Sequence, residues 1–442
     1  MKRLIYWTML LTLTFSTRGT AQDKTVTVTI TAEKADYKDT PVCIPLSLPK
    51  NLDMFRHAVI VGGDQFIPGQ LTAPGILTEH IAPAARDLVR RDLHVIVPAL
   101  KKGASLTLTA KLMPLDNSPN PSGFVWEDVF EGNRPQLVQF FVLGGNKLHR
   151  PVLRYMGAPF DDSSKDERDR TYKVFHHLFD LMGRQFVTNG GQTDLKPGEE
   201  RKLLYPHHRG IMFGFNKCSY GEGLKKKADT WHCTGDAHVA HESVLNKENG
   251  AVLGRHRVRL GWHGEMKERF ASEERELTVY QVPGGTLVEF ASRLRTTGGS
   301  VRLDGDPQHA GFQFRASNDV ADKTAKQTYY LRPDGKGELG ATRNWDPKTK
   351  KGPVDLPWYA MSFVLDGQRY TCCYLNHPQN PKETRFSERD YGRFGGYFEY
   401  NVTEKNPLVV NYRLWFQNGE MTGEQASALH AAFAAGPKGL AK

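Results

Sequence analysis

Histidine, arginine and tyrosine are concentrated in four short segments of this 442-residue sequence, all of them after residue 200. The first segment, residues 205–210, reads Tyr-Pro-His-His-Arg-Gly and precedes the apolar run 211–213. Two adjacent histidines can serve one site only where the backbone bends, and the proline and glycine of this segment allow a bend. His207 or His208 would then transfer protons or bind a metal, while Arg209 holds an anionic group. The alternative is a loop whose imidazoles only hydrogen-bond the backbone.

The other three segments lie where predicted strands end, which is where a β-sandwich presents functional groups. Residues 231–242 contain three histidines, but their order matches no zinc-protease motif and no helical pattern surrounds them. Residues 305–315 place a histidine in a turn before a strand, and residues 376–381 read Asn-His-Pro-Gln-Asn-Pro. The candidates that these segments and their continuations supply are Trp231, His241, His309, Arg315, His377, Arg389 and Tyr391.

These side chains together suit removal of a proton next to a carboxylate or a ketone. A guanidinium group neutralises the growing negative charge, while an imidazole or a phenol serves as base and acid. A divalent metal is a second possibility, for which His207, His241 and His377 are the candidate ligands. The predicted catalytic residues are His207, His208, His241, His377 and Tyr391.

Glycoside hydrolysis is a further alternative, and it needs two opposed carboxylates. No pair stands out among the candidates Glu289, Asp306, Glu383 and Asp390. The sequence contains no glycine-rich phosphate loop, dinucleotide fingerprint or nucleophile elbow, so nucleotide chemistry is not expected.

Strand patterns dominate the elements that must position these residues. Residues 24–31 alternate Thr with apolar side chains, and residues 93–97 and 106–109 repeat the strand signal. Residues 24–114 are therefore predicted to form a small β-sandwich of immunoglobulin-like dimensions, with a spacer or docking role. The polar, proline-broken segment 115–123 is the predicted linker.

Beyond the linker, residues 124–436 are predicted to form a large antiparallel β-sandwich. One helix should end this domain, since Thr422 and Gln425 form a capping box and Gly436 with the next proline ends the helical pattern. The expected fold class is thus all-β with a C-terminal helix. The strand predictions cover residues 276–282 and 286–294 as a hairpin, 312–314, 359–365, 370–375 and 408–416.

Residues 1–21 have the pattern of a signal peptide, with a basic start, an apolar stretch and small residues before a cleavage site after Ala21. A periplasmic or extracellular location is therefore expected. No later segment has the roughly 18 apolar residues of a membrane span, so no transmembrane anchor is expected.

The net charge and the cysteine content indicate which classes of partner and which covalent links to expect. The formal net charge of +10 becomes +7 when residues 1–21 are removed, because that segment carries three basic residues and no acid. In an exported protein this excess favours acidic glycans or anionic surfaces over nucleic acid, and the alternative is a basic surface that is merely solvated. The five cysteines are too few and too widely spaced for a disulfide framework, although an oxidising compartment allows one bridge, Cys218 to Cys233.

The four segments, in this order, resemble a bacterial family of unknown function that is often labelled PmoA-like, or "methane oxygenase PmoA". The resemblance spans about residues 145–420, and its most specific elements are Pro-His-His-Arg-Gly at 206–210 and His-Pro-x-Asn-Pro at 377–381. Tyr172 and His176, in the segment Thr-Tyr-Lys-Val-Phe-His, belong to the same pattern. Methane oxygenation is not expected, because the membrane subunit behind that label needs several hydrophobic spans. The resemblance implies a carbohydrate context, and the large sandwich could be a galactose-mutarotase-like supersandwich.

The leading hypothesis is an exported carbohydrate lyase or hydrolase that acts on an acidic or oxidised sugar through a His/Arg/Tyr pocket. The alternatives are a non-catalytic glycan-binding protein of the cell envelope and a structural module without a pocket. The residues predicted to bind substrate are Tyr172, His176, Arg209, Trp231, His309, Arg315 and Arg389.

Overall fold

The computed structural model describes residues 24–62, 65–81, 85–114, 123–131, 134–143, 148–190, 205–436 and 438–441. The predicted signal peptide and all but the last residue of the predicted linker lie outside these ranges. Antiparallel strands dominate the described residues, with one long helix near the C-terminus, so the all-β prediction is confirmed. No helix in the described ranges is both long and apolar enough to cross a bilayer.

Residues 24–114 and the C-terminal strand form one antiparallel sheet, which we call the small sandwich, from Lys24–Thr31 (β1), Tyr37–Pro49 (β2), Phe55–Gly62 (β3), Gln65–Thr72 (β4), Leu88–Leu100 (β5), Ser105–Pro114 (β6) and Lys438–Ala441 (β28). Its seven strands have the order β2-β5-β4-β3-β6-β1-β28, and the sheet is rolled so that its end strands approach each other. Alternating side chains such as Ile30, Ile44 and Ile60 are buried inside the roll and form its core. The C-terminal strand pairs with β1, so both ends of the described chain meet in this sheet.

The first strands of the large sandwich belong to an eight-stranded sheet and a four-stranded sheet. A short helix, Lys165–Thr171 (α1), begins at Ser164, whose side chain accepts a hydrogen bond from the Glu167 amide. The strands are Gly123–Glu131 (β7), Arg134–Leu143 (β8), Leu148–Met156 (β9), Phe175–Leu178 (β10), Ile211–Phe215 (β11), Lys217–Tyr220 (β12) and Lys226–Ala228 (β13).

The second half of the large sandwich supplies all nine strands of a nine-stranded sheet and ends with the helix Gly423–Ala435 (α2). The predicted capping box of Thr422 and Gln425 is present, and the helix ends before Gly436. The strands are His238–Glu248 (β14), Leu253–His263 (β15), Arg269–Tyr280 (β16), Thr286–Thr296 (β17), Val301–Asp304 (β18), Ala310–Arg315 (β19), Tyr329–Arg332 (β20), Gly335–Lys336 (β21), Trp358–Leu365 (β22), Gln368–Asn376 (β23), Arg385–Arg389 (β24), Arg393–Tyr397 (β25), Tyr400–Val402 (β26) and Leu408–Asn418 (β27).

Two large sheets face each other across the main core. The eight-stranded sheet has the order β24-β25-β19-β11-β10-β9-β8-β7, and the nine-stranded sheet has the order β14-β15-β16-β17-β27-β23-β22-β20-β21. Phe312 of the first sheet stacks on Tyr412 of the second, with ring centres 4.6 Å apart. The ring centre of Phe290, also in the second sheet, lies 4.6 Å from that of Phe312. The strands β13-β12-β18-β26 form a small additional sheet. The predicted hairpin is β16 and β17, and every other strand predicted beyond the linker is also present.

The two sandwiches share a buried polar seam. The Gln70 side-chain oxygen accepts hydrogen bonds from the amides of Val252 and Leu253 at 3.1 and 3.0 Å. Arg255 donates to the hydroxyl of Thr72 at 2.9 Å. Because unsatisfied buried groups are costly, these bonds fix how the small sandwich sits on the end of the nine-stranded sheet.

The bridge considered between Cys218 and Cys233 is absent, and all five cysteines are free thiols. Cys218 instead lies 3.8 Å from the Thr230 hydroxyl, in the turn that follows β13. Burial raises the pKa of the Cys218 thiol to about 12, so it acts as a packing residue.

Candidate functional site

Four imidazoles from three segments of the chain meet at one place, which we call the four-histidine site: His207, His208, His232 and His309. The ring centre of His207 lies 4.3 Å from that of His208 and 4.5 Å from that of His232. The His309 ring centre is 4.6 Å from that of His232 and 5.6 Å from that of His208. His208 is buried and the other three are half-buried, so the cluster has a sealed side and a side that solvent reaches.

The outer face of the eight-stranded sheet forms the floor of this site. Side chains alternate across a strand, and Phe213 and Phe314 point into the main core. Their neighbours Gln313 and Arg315 therefore point outward, and Arg393 pairs directly with Arg315 from the adjacent strand β25. Arg393 donates a hydrogen bond of 2.5 Å to the Gln313 side chain, so the floor is a connected polar layer.

Segment 205–209 folds back over this floor because the chain reverses at Gly210. Gly210 has a φ of +43°, and a β-carbon there would lie 2.2 Å from the carbonyl oxygen of His176. Only glycine tolerates both conditions. The amide of Gly210 donates to Asn189 and its carbonyl accepts from the amide of Arg315, at 2.6 and 2.8 Å. Gly210 lies next to Arg315, the last residue of β19, whereas His309 directly precedes the first. The turn therefore brings the paired histidines back across the sheet to His309.

A buried amine joins two of the loops that form the site. The Lys173 ammonium donates to the carbonyl oxygens of His207, at 3.2 Å, and of Trp231. It also lies 4.9 Å above the centre of the Trp231 ring. Burial lowers the pKa of Lys173 to about 8, so the group retains its charge at neutral pH while it fixes both loops.

Two of the four imidazoles are oriented by carboxylates. His232 Nδ1 lies 2.7 Å from Asp229, and His309 Nδ1 lies 3.0 Å from Asp306. Backbone amides hold both carboxylates in turn, since Asp229 accepts from the amide of His232 and Asp306 from that of Gln308. A proton on Nδ1 in each pair leaves Nε2 of the same ring with its lone pair.

The other two imidazoles lack such partners. Nε2 of His207 and both ring nitrogens of His208 are shielded from solvent and have no hydrogen-bond partner among the described residues. Burial, followed by the charge of Lys173, lowers the pKa of His207 to about 2. Burial, followed by the charge of Arg393, holds the pKa of His208 well below its usual value. Both rings are therefore neutral at physiological pH and can donate a lone pair.

Two tyrosines and an arginine line the open side. The Tyr391 ring centre lies 5.1 Å from that of Tyr205 and 6.3 Å from that of His208. The Tyr205 side chain is 45% exposed, which suits a surface that packs against a flat ligand. Arg389 is half-buried beside these rings, and its Nη1 donates to the Asn344 side chain at 2.9 Å. Its remaining donors can reach an anionic group at the edge of the site.

The structure brings together five of the residues that the sequence singled out: His207, His208, His309, Arg389 and Tyr391. Arg315 lies beneath them, fully buried, and donates to the backbone carbonyl of Tyr391 at 2.5 Å. It therefore positions Tyr391, and the prediction that it binds substrate directly does not fit its burial.

Four other predicted substrate-binding residues are also buried and act as supports. The Arg209 guanidinium packs 4.1 Å over the centre of the Tyr172 ring and donates to the carbonyl of Pro206. The Trp231 ring is sealed against His208 with ring centres 5.7 Å apart. His176 is paired with His256 through their Nε2 atoms at 2.8 Å, on the other side of β10 from this site.

The predicted metal set of His207, His241 and His377 is not assembled. His241 Nδ1 lies 2.9 Å from the Tyr155 hydroxyl, and the His377 ring packs against Phe433 of helix α2, with centres 5.0 Å apart. Both residues lie in segments that the sequence singled out, but their rings contact Tyr155 and Phe433 and not the four-histidine site. The predicted catalytic roles of His241 and His377 therefore have no support from their positions.

Among the described residues, His207, His208 and His309 form a group whose ligand atoms all lie within 4.8 Å of one another. Cys43, Asp92 and His94 form a second such group at the seam between the sandwiches. There the Asp92 carboxylate is already occupied by Arg90, at 3.2 Å, and by the amide of Gly75, at 3.3 Å. The first group is therefore the better candidate for a metal.

The sequence did not single out His232 and Asp229 as site residues, and it suggested Asp306 only as a carboxylate for glycoside hydrolysis. Both pairs share the spacing Asp-x-x-His, in Asp229-Thr-Trp-His232 and Asp306-Pro-Gln-His309. This repeated spacing is a local signal, because a turn of three residues lets a carboxylate reach back to the imidazole.

The candidate carboxylates for glycoside hydrolysis do not form an opposed pair. Asp306 is committed to His309, while Glu289 lies 2.7 Å from Arg413. Glu383 lies 2.9 Å from Arg385, and Asp390 is 2.9 Å from Lys326. Each is held by a different partner, so these residues do not supply the two-carboxylate arrangement.

The fold and site define an all-β protein with a polyhistidine site on the outer face of one sheet. The chain belongs to a family of unknown function (DUF6807), whose model matches residues 146–431. That family, rather than a PmoA-like one, is what the match establishes for this segment. No curated protein matches the chain.

Two solved structures are similar to the chain at 8% sequence identity. One is an alpha-mannosidase from Enterococcus faecalis V583, with a TM-score of 0.36, and the match covers 95% of this chain and 46% of that protein. The other is a protein in the glycosyl hydrolase family 38 from Enterococcus faecalis, with a TM-score of 0.40 and coverage of 95% and 47%. The chain thus spans about half the length of each.

Proposed function

We propose that this chain is an exported carbohydrate-active enzyme, a lyase or hydrolase that acts on an acidic or oxidised sugar at the four-histidine site. The supporting observation is the meeting of carboxylate-oriented imidazoles with two tyrosines and Arg389 on a partly exposed surface. Export rests on residues 1–21, which have the pattern of a signal peptide.

The pair of Asp229 and His232 is the best candidate for proton transfer. The carboxylate fixes the ring through Nδ1 and stabilises the imidazolium that forms when Nε2 takes a proton. The proton would come from the carbon next to a carboxylate or ketone, or from an attacking water. Arg389 would neutralise the negative charge that develops on the sugar, and Tyr391 would pack against its ring.

A lyase or a hydrolase without a carboxylate pair fits this site better than a conventional glycosidase does. The two carboxylates nearest the site, Asp229 and Asp306, are each committed to a histidine. Conventional glycosidases need two carboxyl groups free to act on opposite sides of the glycosidic bond. The substrate must therefore be activated by its own carboxylate or keto group.

A panel of glycosides that contain uronate or keto sugars tests the proposal. The purified chain is expected to release product from at least one of them, with a new conjugated double bond for a lyase or a new reducing end for a hydrolase. His232→Asn should lower kcat by about 10²- to 10⁴-fold, the usual contribution of a general acid or base. His263→Asn removes an imidazole that contacts His238 and Lys267 instead, and it should leave kcat unchanged.

A non-catalytic glycan-binding role is the second candidate, favoured by the exposed Tyr205 ring next to Tyr391. Calorimetric binding of the same glycosides without turnover, unaffected by His232→Asn, would support binding over catalysis. Absence of both turnover and binding across the panel would contradict a sugar-directed function.

A further inference from the structure

We propose that His207, His208 and His309 bind a single divalent transition-metal ion, with zinc as the ion of choice. The inference goes beyond the reaction proposed above, because it concerns a bound ion that can be measured without any sugar. It differs from the metal set that the sequence suggested, which shares only His207.

The first argument is that ring nitrogens able to bind a metal lie close together, and that those of His208 have no hydrogen-bond partner among the described residues. One ligand nitrogen from each of the three rings lies within 4.8 Å of the others. Nitrogens bound to zinc at 2.0–2.1 Å in a tetrahedron lie about 3.4 Å apart. Side-chain rotations that move the ring nitrogens by about an ångström would therefore complete the site. His208 is 1% exposed and neither of its ring nitrogens has a hydrogen-bond partner among the described residues. A buried polar group of this kind costs free energy unless something binds it.

The second argument is the carboxylate behind His309. Histidines that bind metals usually donate their other ring N–H to a carboxylate, which fixes the tautomer and makes the ligand nitrogen more basic. Asp306 lies 3.0 Å from His309 Nδ1, and its other oxygen accepts from the Asn216 side chain at 2.8 Å. Asn216 thus holds Asp306, and Asp306 holds His309. This leaves Nε2 of His309 as the ligand atom.

The donor set selects the class of ion. Three imidazoles without a carboxylate or thiolate ligand suit zinc and its first-row neighbours, whereas calcium and magnesium require oxygen ligands. The fourth position would face the half-buried His232 and the open side of the site. A water or a substrate oxygen bound there would lie next to the imidazole that we propose as the base.

The charges around the group are compatible with a cation. Lys173, Arg315 and Arg393 are the cations around the site, but each is engaged: Lys173 with the carbonyls of His207 and Trp231, Arg315 with the Tyr391 carbonyl and Arg393 with Gln313. The carboxylates of Asp229 and Asp306 are closer to the rings, since each contacts an imidazole directly. Together with an ion, the arginines would make the site attractive to anionic substrates.

Zinc titration of untagged, EDTA-dialysed protein tests the inference. Calorimetry should show one ion bound per chain, and Co²⁺ should give the visible absorption of a tetrahedral imidazole site. His309→Gln should weaken binding by about 100-fold or more, and Asp306→Asn, which leaves all three ligands in place, by about 10- to 100-fold. His263→Asn should bind zinc as the unaltered chain does.

Absence of zinc and Co²⁺ binding by the unaltered chain would overturn the inference. Undiminished binding by His309→Gln would also overturn it, because the ion would then lie elsewhere. The sugar assignment fails separately: a metal-loaded protein that turns over none of the glycosides would contradict only the proposed reaction. Full turnover by a protein that binds no metal would contradict only the metal site.

Discussion

At the scale of single residues, the site depends on buried groups that never meet solvent. Arg315 illustrates this, because its guanidinium donates to the carbonyls of Ala316 and Tyr391 and lies 4.9 Å over the centre of the Tyr391 ring. Burial lowers the pKa of Arg315 to about 10, which still leaves it charged at neutral pH. The residue therefore works as a charged, planar clamp on Tyr391.

Arg315→Lys should lower the free energy of unfolding by about 1–3 kcal/mol, because an ammonium cannot reproduce the planar fork and leaves buried carbonyls unsatisfied. It should also raise KM for the sugar more than it lowers kcat, since Tyr391 loses its support. Urea denaturation and steady-state kinetics measure the two effects. Arg343→Lys is the matched control, because Arg343 pairs with Asp334 at the surface, where such a change costs less than about 1 kcal/mol. Equal losses in both variants would contradict the clamp.

At the scale of elements, a single turn delivers the paired histidines to the sheet. Gly210 precedes β11, and its left-handed conformation places segment 205–209 over the outer face. The turn has no room for a side chain, because the carbonyl oxygen of His176 on β10 occupies the space. The position of His207 and His208 thus depends on one glycine.

Gly210→Ala should be strongly destabilising and should also weaken zinc binding. Gly367→Ala is the control, because Gly367 has a φ of +75° and nothing within 4 Å of the added carbon. An alanine in the left-handed region costs about 1–2 kcal/mol, so the control should lose no more than that. The Gly210 variant should lose at least about 2 kcal/mol beyond the control, measured by urea denaturation, because backbone atoms must also move. Similar losses would show that the conformation alone, and not the contact, matters.

The elements were more predictable from the sequence than the site was. Strand alternation and the capping box of α2 are local patterns, and the structure confirms them. The site depends on contacts between residues far apart in the sequence, which local patterns do not predict. His309 lies near His208 only because the turn at Gly210 reverses the chain. His241 lies in an equally His-rich segment, yet its ring turns towards Tyr155, and composition alone cannot distinguish its direction from that of His232.

At the scale of the whole molecule, several buried histidines outside the site, such as His177 and His256, are built in as neutral groups. His177 hydrogen-bonds Thr188 and the carbonyl of Gly190 at 3.0 and 2.8 Å, and its ring stacks on Phe186. Burial lowers the pKa of His177 to about 3, and burial followed by the charge of a neighbouring imidazole lowers that of His256 to about 3. The fold therefore excludes protons that the unfolded chain would bind.

This exclusion makes the protein sensitive to mild acid, with a sign that follows from linkage. Above about pH 7.5, roughly a unit above the unfolded pKa of about 6.5, these rings are neutral in both states and the stability is complete. As the pH falls from 6.5 towards 3, only the unfolded chain binds the protons, so each ring removes up to about 1.4 kcal/mol of unfolding free energy per pH unit. Carboxylates with lowered pKa values, such as Glu268 with a usual value of 4.5, add to the loss only at lower pH.

The window between pH 6.5 and 5 thus isolates the imidazoles, and His177→Gln should reduce the slope of unfolding free energy there by up to about 1.4 kcal/mol per pH unit. Urea denaturation of the metal-free protein at several pH values measures that slope, and the slope above pH 7.5 serves as the internal control, since it should be the same in both chains. His177→Gln lowers stability at every pH because it disturbs the contacts with Thr188 and Gly190, but that loss is constant and does not enter the slope. An unchanged slope between pH 6.5 and 5 would mean that His177 accepts a proton in the folded protein, and the buried ring would then have to reach solvent through a local opening of β10.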